Sequence, residues 1–159
     1  MSEEHKQLLQ CLMEEAFNGG NYDAADQLVA PDFLNHEASE GPRGPEGFKA
    51  TARWLRSAFP DLHAVLHETV AEGDLVVSRI TVSGTHRGEF MGAQPTGRPF
   101  SVQHLHMYRV ADGKVAEHWA CRDDIAQLAQ LAQLGLMPPA VPGPGGERRS
   151  RPAAPSVTS

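Results

Sequence analysis

The sequence predicts an α+β fold, with helices leading, an antiparallel sheet following, and the helices packed on one face of that sheet. Three observations carry this. Apolar residues recur at three-and-four spacing up to Pro60 and alternate with polar residues after it. Two turn signals, Glu72-Gly73-Asp74 and Ala111-Asp112-Gly113, divide the alternating part into hairpins. A last helical stretch then stops at Gly135, with prolines beyond it. Helices followed by hairpin-linked strands is the α+β order, because a half-apolar sheet buries its face under the helices that precede it.

The elements follow in turn. Leu8, Leu9, Leu12, Met13, Ala16 and Phe17 share one face of a first helix, ended by Asn18-Gly19-Gly20, where glycine accepts the left-handed cap. Tyr22 to Val29 make a second short helix ahead of Pro31. Asp32 to His36 read as extended and lead into the loop Gly41-Pro42-Arg43-Gly44-Pro45. A third helix runs from Pro45 to Ala58, proline suiting its first turn, with Phe48, Ala52, Leu55 and Phe59 along one side. Strands cover Ala64 to Ala71, Leu75 to His86, Phe100 to Val110 and Val115 to Arg122, and a final helix covers Ile125 to Leu134.

Composition bounds the function. A chain of 159 residues fits one domain, placed here at residues 1–137. Residues 138–159 hold six of the twelve prolines, several glycines and Arg148, Arg149 and Arg151. With little to bury, that segment is expected to be a disordered tail. A formal charge of −6 argues against nucleic acid, which needs a basic surface. No apolar run is long enough to span a membrane. The opening Met-Ser-Glu-Glu-His-Lys has no signal-peptide pattern, so a cytoplasmic location is expected. Cys11 and Cys121 lie far apart, form no zinc-type pair, and have the apolar neighbours of buried, inert thiols.

Three stretches carry a family resemblance. Gly84-Thr85-His86-Arg87-Gly88-Glu89-Phe90-Met91-Gly92, followed by Pro95-Thr96-Gly97, resembles the strand-crossing loop of SnoaL-like ester cyclases. The run from Tyr108 to Trp119, then Asp123, is similar to that family's final hairpin. Ala30-Pro31-Asp32-Phe33-Leu34-Asn35-His36 resembles its early pocket-lining segment. The resemblance implies a cone-like curved antiparallel sheet of the nuclear transport factor 2 superfamily, with N-terminal helices on its concave face enclosing a pocket. It also implies a homodimer, a hydrophobic small-molecule substrate, and often an aldol ring closure with no metal or organic cofactor. By the same resemblance Phe33 and His36 touch substrate, and the general acid/base aspartate falls at Asp123.

An aldol closure needs a base to take a proton beside a carbonyl, a donor to stabilise the enolate, and an acid to protonate the new alkoxide. Strand alternation sets Trp119, Cys121 and Asp123 on one face, a hydrophobic wall with a single acid. A carboxylate there gains basicity by desolvation. Asp123 is also suited to cap the final helix, and Asp124 is its rival in both roles. On the preceding strand Val102, His104, His106, Tyr108 and Val110 share a face, which brings two imidazoles and a phenol to a cavity wall. The site expected is thus Asp123, His104 and His106 for catalysis, with His36, Trp119, Tyr108 and Phe33 against the substrate. His104-x-His106 lacks a third ligand at metal spacing, so no metal is expected. His86 reads as structural, and His118, opposite in parity to Trp119, is expected behind the sheet with Leu105, Met107, Arg109 and Ala116. That second apolar-bearing face is the expected dimer surface.

Cofactor-independent ring closure of an aromatic polyketide-like intermediate is therefore the leading expectation. The alternatives are an epoxide-opening cyclase or hydrolase of the same fold, and a non-catalytic pocket that binds a hydrophobic small molecule and assists an oxygenase.

Overall fold

A computed structural model describes residues 2–38 and 40–132. The expected tail at 138–159 lies outside the described residues. The chain opens with α1 (Ser2–Cys11), which runs on as a π-helical segment, Leu12–Asn18. There follow α2 (Tyr22–Leu28), β1 (Val29–Asn35), a 3₁₀ turn (His36–Ala38) and α3 (Pro45–Ala58). Then come β2 (His63–Glu72), β3 (Leu75–Thr85), β4 (Pro99–Ala111), β5 (Lys114–Arg122) and α4 (Asp124–Gln130). The α+β expectation holds, and so do the two hairpin turns.

Among the described residues the strands form one five-stranded sheet in the order β1-β5-β4-β3-β2. Three of its pairings are antiparallel, whereas β1 lies parallel to β5. The sequence predicts a wholly antiparallel sheet, and the parallel edge departs from it. A hairpin writes its turn into the sequence, but a parallel pair is joined by a long crossover and leaves no local signal. Residues 29–35 consequently look like a helix end followed by an extended connector.

The helices cover one face of the sheet. Leu9, Leu12, Met13 and Ala16 are buried against Val76, Ile80, Val110 and Val115 in a continuous core. In the π-helical segment residues four and five apart stack on one side, which brings Leu12, Met13 and Phe17 to a common surface. The end of this segment is clamped to β2: the Asn18 side chain donates to the Ala64 carbonyl and accepts from the Ala64 N–H, both at 2.8 Å. Gly44 opens α3 at φ 73°, and a Cβ there would stand 2.5 Å from the Pro31 carbonyl oxygen, so only glycine fits. Its N–H donates to Phe33 O, tying the loop to β1.

The crossing loop between β3 and β4 folds back over the helices. His86 is buried in it and its Nδ1 accepts from the Thr96 N–H at 3.2 Å, the structural role its position suggests. Phe59 packs edge-on against both Phe90 of this loop and Phe100 of β4.

Candidate active site

Between the helices and the sheet lies a cavity of about 490 Å³, the size of a small-molecule site. A wider hollow of about 660 Å³ beside the start of α1 opens between two hairpin turns. Only the first receives polar groups from the sheet. Phe17, Phe33, Phe48, Leu55, Phe59 and Phe100 supply much of its apolar wall. Against them β4 contributes His104, His106 and Tyr108, and β5 contributes His118 and Arg122, with Asn35, Glu37 and Asp124 lining the same cavity.

These polar groups form a chain of contacts. The Glu37 N–H donates to Asn35 Oδ1 at 3.0 Å, and His118 Nδ1 lies 2.9 Å from the same oxygen. His118 Nε2 is 2.7 Å from His106 Nδ1, and His106 Nε2 is 3.4 Å from His104 Nδ1. The Tyr108 hydroxyl stands 3.5 Å from His106 Nδ1, and the Tyr108 and His118 rings stack at 4.8 Å. His104 is 7% exposed, and its Nε2 has no hydrogen-bond partner among the described residues.

Burial governs the charge state of this wall. It pushes His106 down to about 2 and His118 down to about 4, and in both cases nearby positive groups act the same way. His104 is lowered too, by burial first and then by Arg122, while Asp124 and Asp123 pull in the opposite sense. Burial raises the Tyr108 phenol. The wall is therefore three neutral imidazoles and a protonated phenol at neutral pH, bordered by the guanidinium of Arg122.

Of the residues expected from the sequence, His104, His106, Tyr108 and Phe33 line the cavity. Asp123, Trp119 and His36 do not. For Asp123 and Trp119 the cause is a register shift between β4 and β5: Val110 faces Val115, yet Arg109 faces Glu117. Ala116 is the extra residue of a bulge, and beyond it the strand's parity is inverted. Trp119 therefore pairs with Met107 on the outer face, where its ring stacks on His36 at 4.6 Å. His36 Nε2 lies 2.9 Å from Glu117, which also accepts from Arg109 at 3.0 Å. His118, expected behind the sheet, pairs with Tyr108 on the cavity side instead.

Asp123 is the N-cap of α4, accepting from the Ala126 N–H at 3.1 Å. The neighbouring acid Asp124 lines the cavity, 3.5 Å from Arg122 Nε. Cys121 is exposed and Cys11 partly so, against the expectation that both are buried.

Sequence reasoning missed His118, Asn35 and Arg122. One clue pointed to the two on β5. Pairing Glu117 with Arg109 as an outward ion pair requires an extra residue after the turn, and that residue carries His118 and Arg122 inward. Among the described residues no group of three or more His, Cys, Asp or Glu side chains is placed to hold a metal ion. No described helix is long and apolar enough to cross a membrane.

A curved, unclosed sheet roofed by helices over an apolar cavity, with a polar stripe on its wall, defines a pocketed α+β protein that handles a small molecule. The chain belongs to the SnoaL-like polyketide cyclase family, whose model matches residues 7–131. It is 38% identical over 111 residues to the aklanonic acid methyl ester cyclase DauD of Streptomyces sp. (strain C5), a match covering 67% of this chain and 68% of that protein. It is 36% identical over 110 residues to the nogalonic acid methyl ester cyclase of Streptomyces nogalater, covering 67% of this chain and 81% of that one. Among solved structures, TsrD from Streptomyces laurentii superposes with a TM-score of 0.77 at 31% identity, over 84% of this chain and 98% of its own.

Proposed function

We propose that this protein closes a ring in a polyketide methyl ester by acid–base chemistry on its own side chains. The observation that carries the reading is the polar stripe of His104, His106, His118 and Tyr108 set into an otherwise apolar cavity. Relatives named as methyl ester cyclases point to the substrate class. In the closure, a base takes a proton from the carbon beside the ester carbonyl. The resulting enolate carbon bonds to a ketone carbon of the same molecule, and the new alkoxide takes the proton back. No atom is gained or lost, so the product is an isomer of the substrate. His104 is the base, since its orphaned nitrogen is the one imidazole position on this wall with lone-pair or proton to offer. Arg122, opposite it across β4 and β5, offsets the enolate charge.

We further propose that the protein works as a homodimer paired through the outer face of the sheet. Val65, Val70, Val77 and Leu105 are exposed there, the last at 51%. The ion pairs Arg79–Glu68 and Arg109–Asp74 border them, and an apolar patch with a charged rim is the anatomy of an interface.

The test is incubation of the purified protein with aklanonic acid methyl ester, followed by chromatography and mass spectrometry. A new compound of unchanged mass that forms only with protein is expected. Unchanged substrate in the presence of folded protein at stoichiometric concentration would overturn the reading.

A further inference from the structure

We propose that Asn35 fixes the proton positions along a relay of three histidines, so that His104, which lines the cavity, carries a bare Nε2. The argument starts from a group whose polarity is beyond choice. A backbone N–H can only donate, so the atom of the Asn35 amide that receives the Glu37 N–H at 3.0 Å is the oxygen. The same oxygen lies 2.9 Å from His118 Nδ1, which must therefore carry a proton.

A neutral imidazole holds one proton, so His118 Nε2 is bare and accepts from His106 Nδ1 at 2.7 Å. His106, its proton spent on Nδ1, turns a bare Nε2 toward His104 Nδ1 at 3.4 Å. Two bare lone pairs would repel there, so His104 carries its proton on Nδ1. Its Nε2 is left bare and, among the described residues, without a partner. A buried acceptor left unpaired persists where something else uses it. Burial keeps His106 and His118 neutral, which is the condition the relay requires.

The end group gives the relay its sense. A carboxylate in place of the amide would hold the charge of an imidazolium, as in serine-protease triads. Asn35 accepts hydrogen bonds but takes no proton. A proton captured at His104 can be shared toward His106 and His118 but has no sink beyond them, and it returns to the cavity. That suits a reaction in which the proton borrowed is the proton given back, and this consequence rests on the ring-closing function proposed above. Asn35 and His118 are then positioning residues that act through His104.

The experiment is nitrogen NMR of protein labelled with ¹⁵N-histidine, each ring assigned by a single His→Gln variant. In the wild type His104, His106 and His118 should all show a pyrrole-type Nδ1 and a pyridine-type Nε2. A protonated Nε2 on His104 in the neutral protein overturns the proposal without any variant. In Asn35→Ala the Nε2–H form of His104 should emerge as a second population. Retention of the native tautomer at His104 in Asn35→Ala would refute the role of Asn35. Tautomers are read without substrate, so a protein that closes no ring leaves this inference standing, and a wrong tautomer leaves ring closure standing.

Discussion

His104→Leu separates a chemical role from a structural one. Leucine fills a similar volume and removes the buried, bare Nε2 that has no partner among the described residues. It also leaves His106 Nε2 without the donor it faces at 3.4 Å. One orphaned acceptor is exchanged for another, each worth about 1–3 kcal/mol, so the two effects nearly cancel. Stability should stay within about 1 kcal/mol of the native protein, a melting shift of about 2–8 °C at most. Turnover should fall about 10²–10⁴-fold, the share that a positioned base supplies, or roughly 2.7–5.4 kcal/mol of barrier. Thermal melting and a timed conversion of the methyl ester measure the two quantities on the same sample. Conversion within tenfold of native would refute the assignment of the base. A loss of several kcal/mol in stability would show instead that His104 holds the wall together.

Other expectations follow from the same geometry. His118 and His106 titrate lower in the folded chain than in the unfolded one, where histidine sits near about 6.5, at about 4 and about 2 respectively. The unfolded state therefore binds more protons below that value, and stability should decline steadily as pH falls from about 6.5 toward 4. Denaturant melts at several pH values check this, and a flat profile over the interval would contradict it. On the rate, the acid limb should have its midpoint below the ordinary histidine value, because burial lowers His104. A midpoint above it would exclude His104 as the base. Asn18→Ala removes both bonds to the Ala64 backbone and should cost about 1–3 kcal/mol by denaturant unfolding. An unchanged midpoint would show the clamp to be idle. Leu105→Glu places a charge in the outer apolar patch and should give a monomer by light scattering. A native protein that is already monomeric at micromolar concentration would remove the dimer proposal.

Period was enough to read most of the fold. The change from helical to alternating spacing at Pro60 and the glycine turns at 73 and 113 locate β2 to β5 within a few residues of where they lie. What it could not show is β1, whose partner β5 is some eighty residues away. On β4 the alternation holds without interruption, and His104, His106 and Tyr108 face the cavity as the pattern requires. On β5 the same reasoning fails after one residue. Alternation assumes an unbroken ladder, and a bulge leaves no residue-type signature when the inserted residue is an alanine between Val115 and Glu117.

That single inserted residue changes the chemistry of the cavity. Without it, Glu117 and Trp119 would face inward, a carboxylate beside an indole, and the wall would invite a carboxylate base. With it, Glu117 turns outward to pair with Arg109 and His36. An imidazole and a guanidinium come in where it would have stood. His118 enters opposite Tyr108 and next to His106, which completes a contact chain that two histidines on β4 could not anchor alone. The anchor is Asn35, and it reaches His118 only because β1 runs parallel alongside β5, pairing Asn35 with His118 directly. The two features that the sequence conceals, the parallel edge and the bulge, are the two that assemble the relay. Either alone would leave the His104–His106 pair on β4 without an anchor to fix its tautomers.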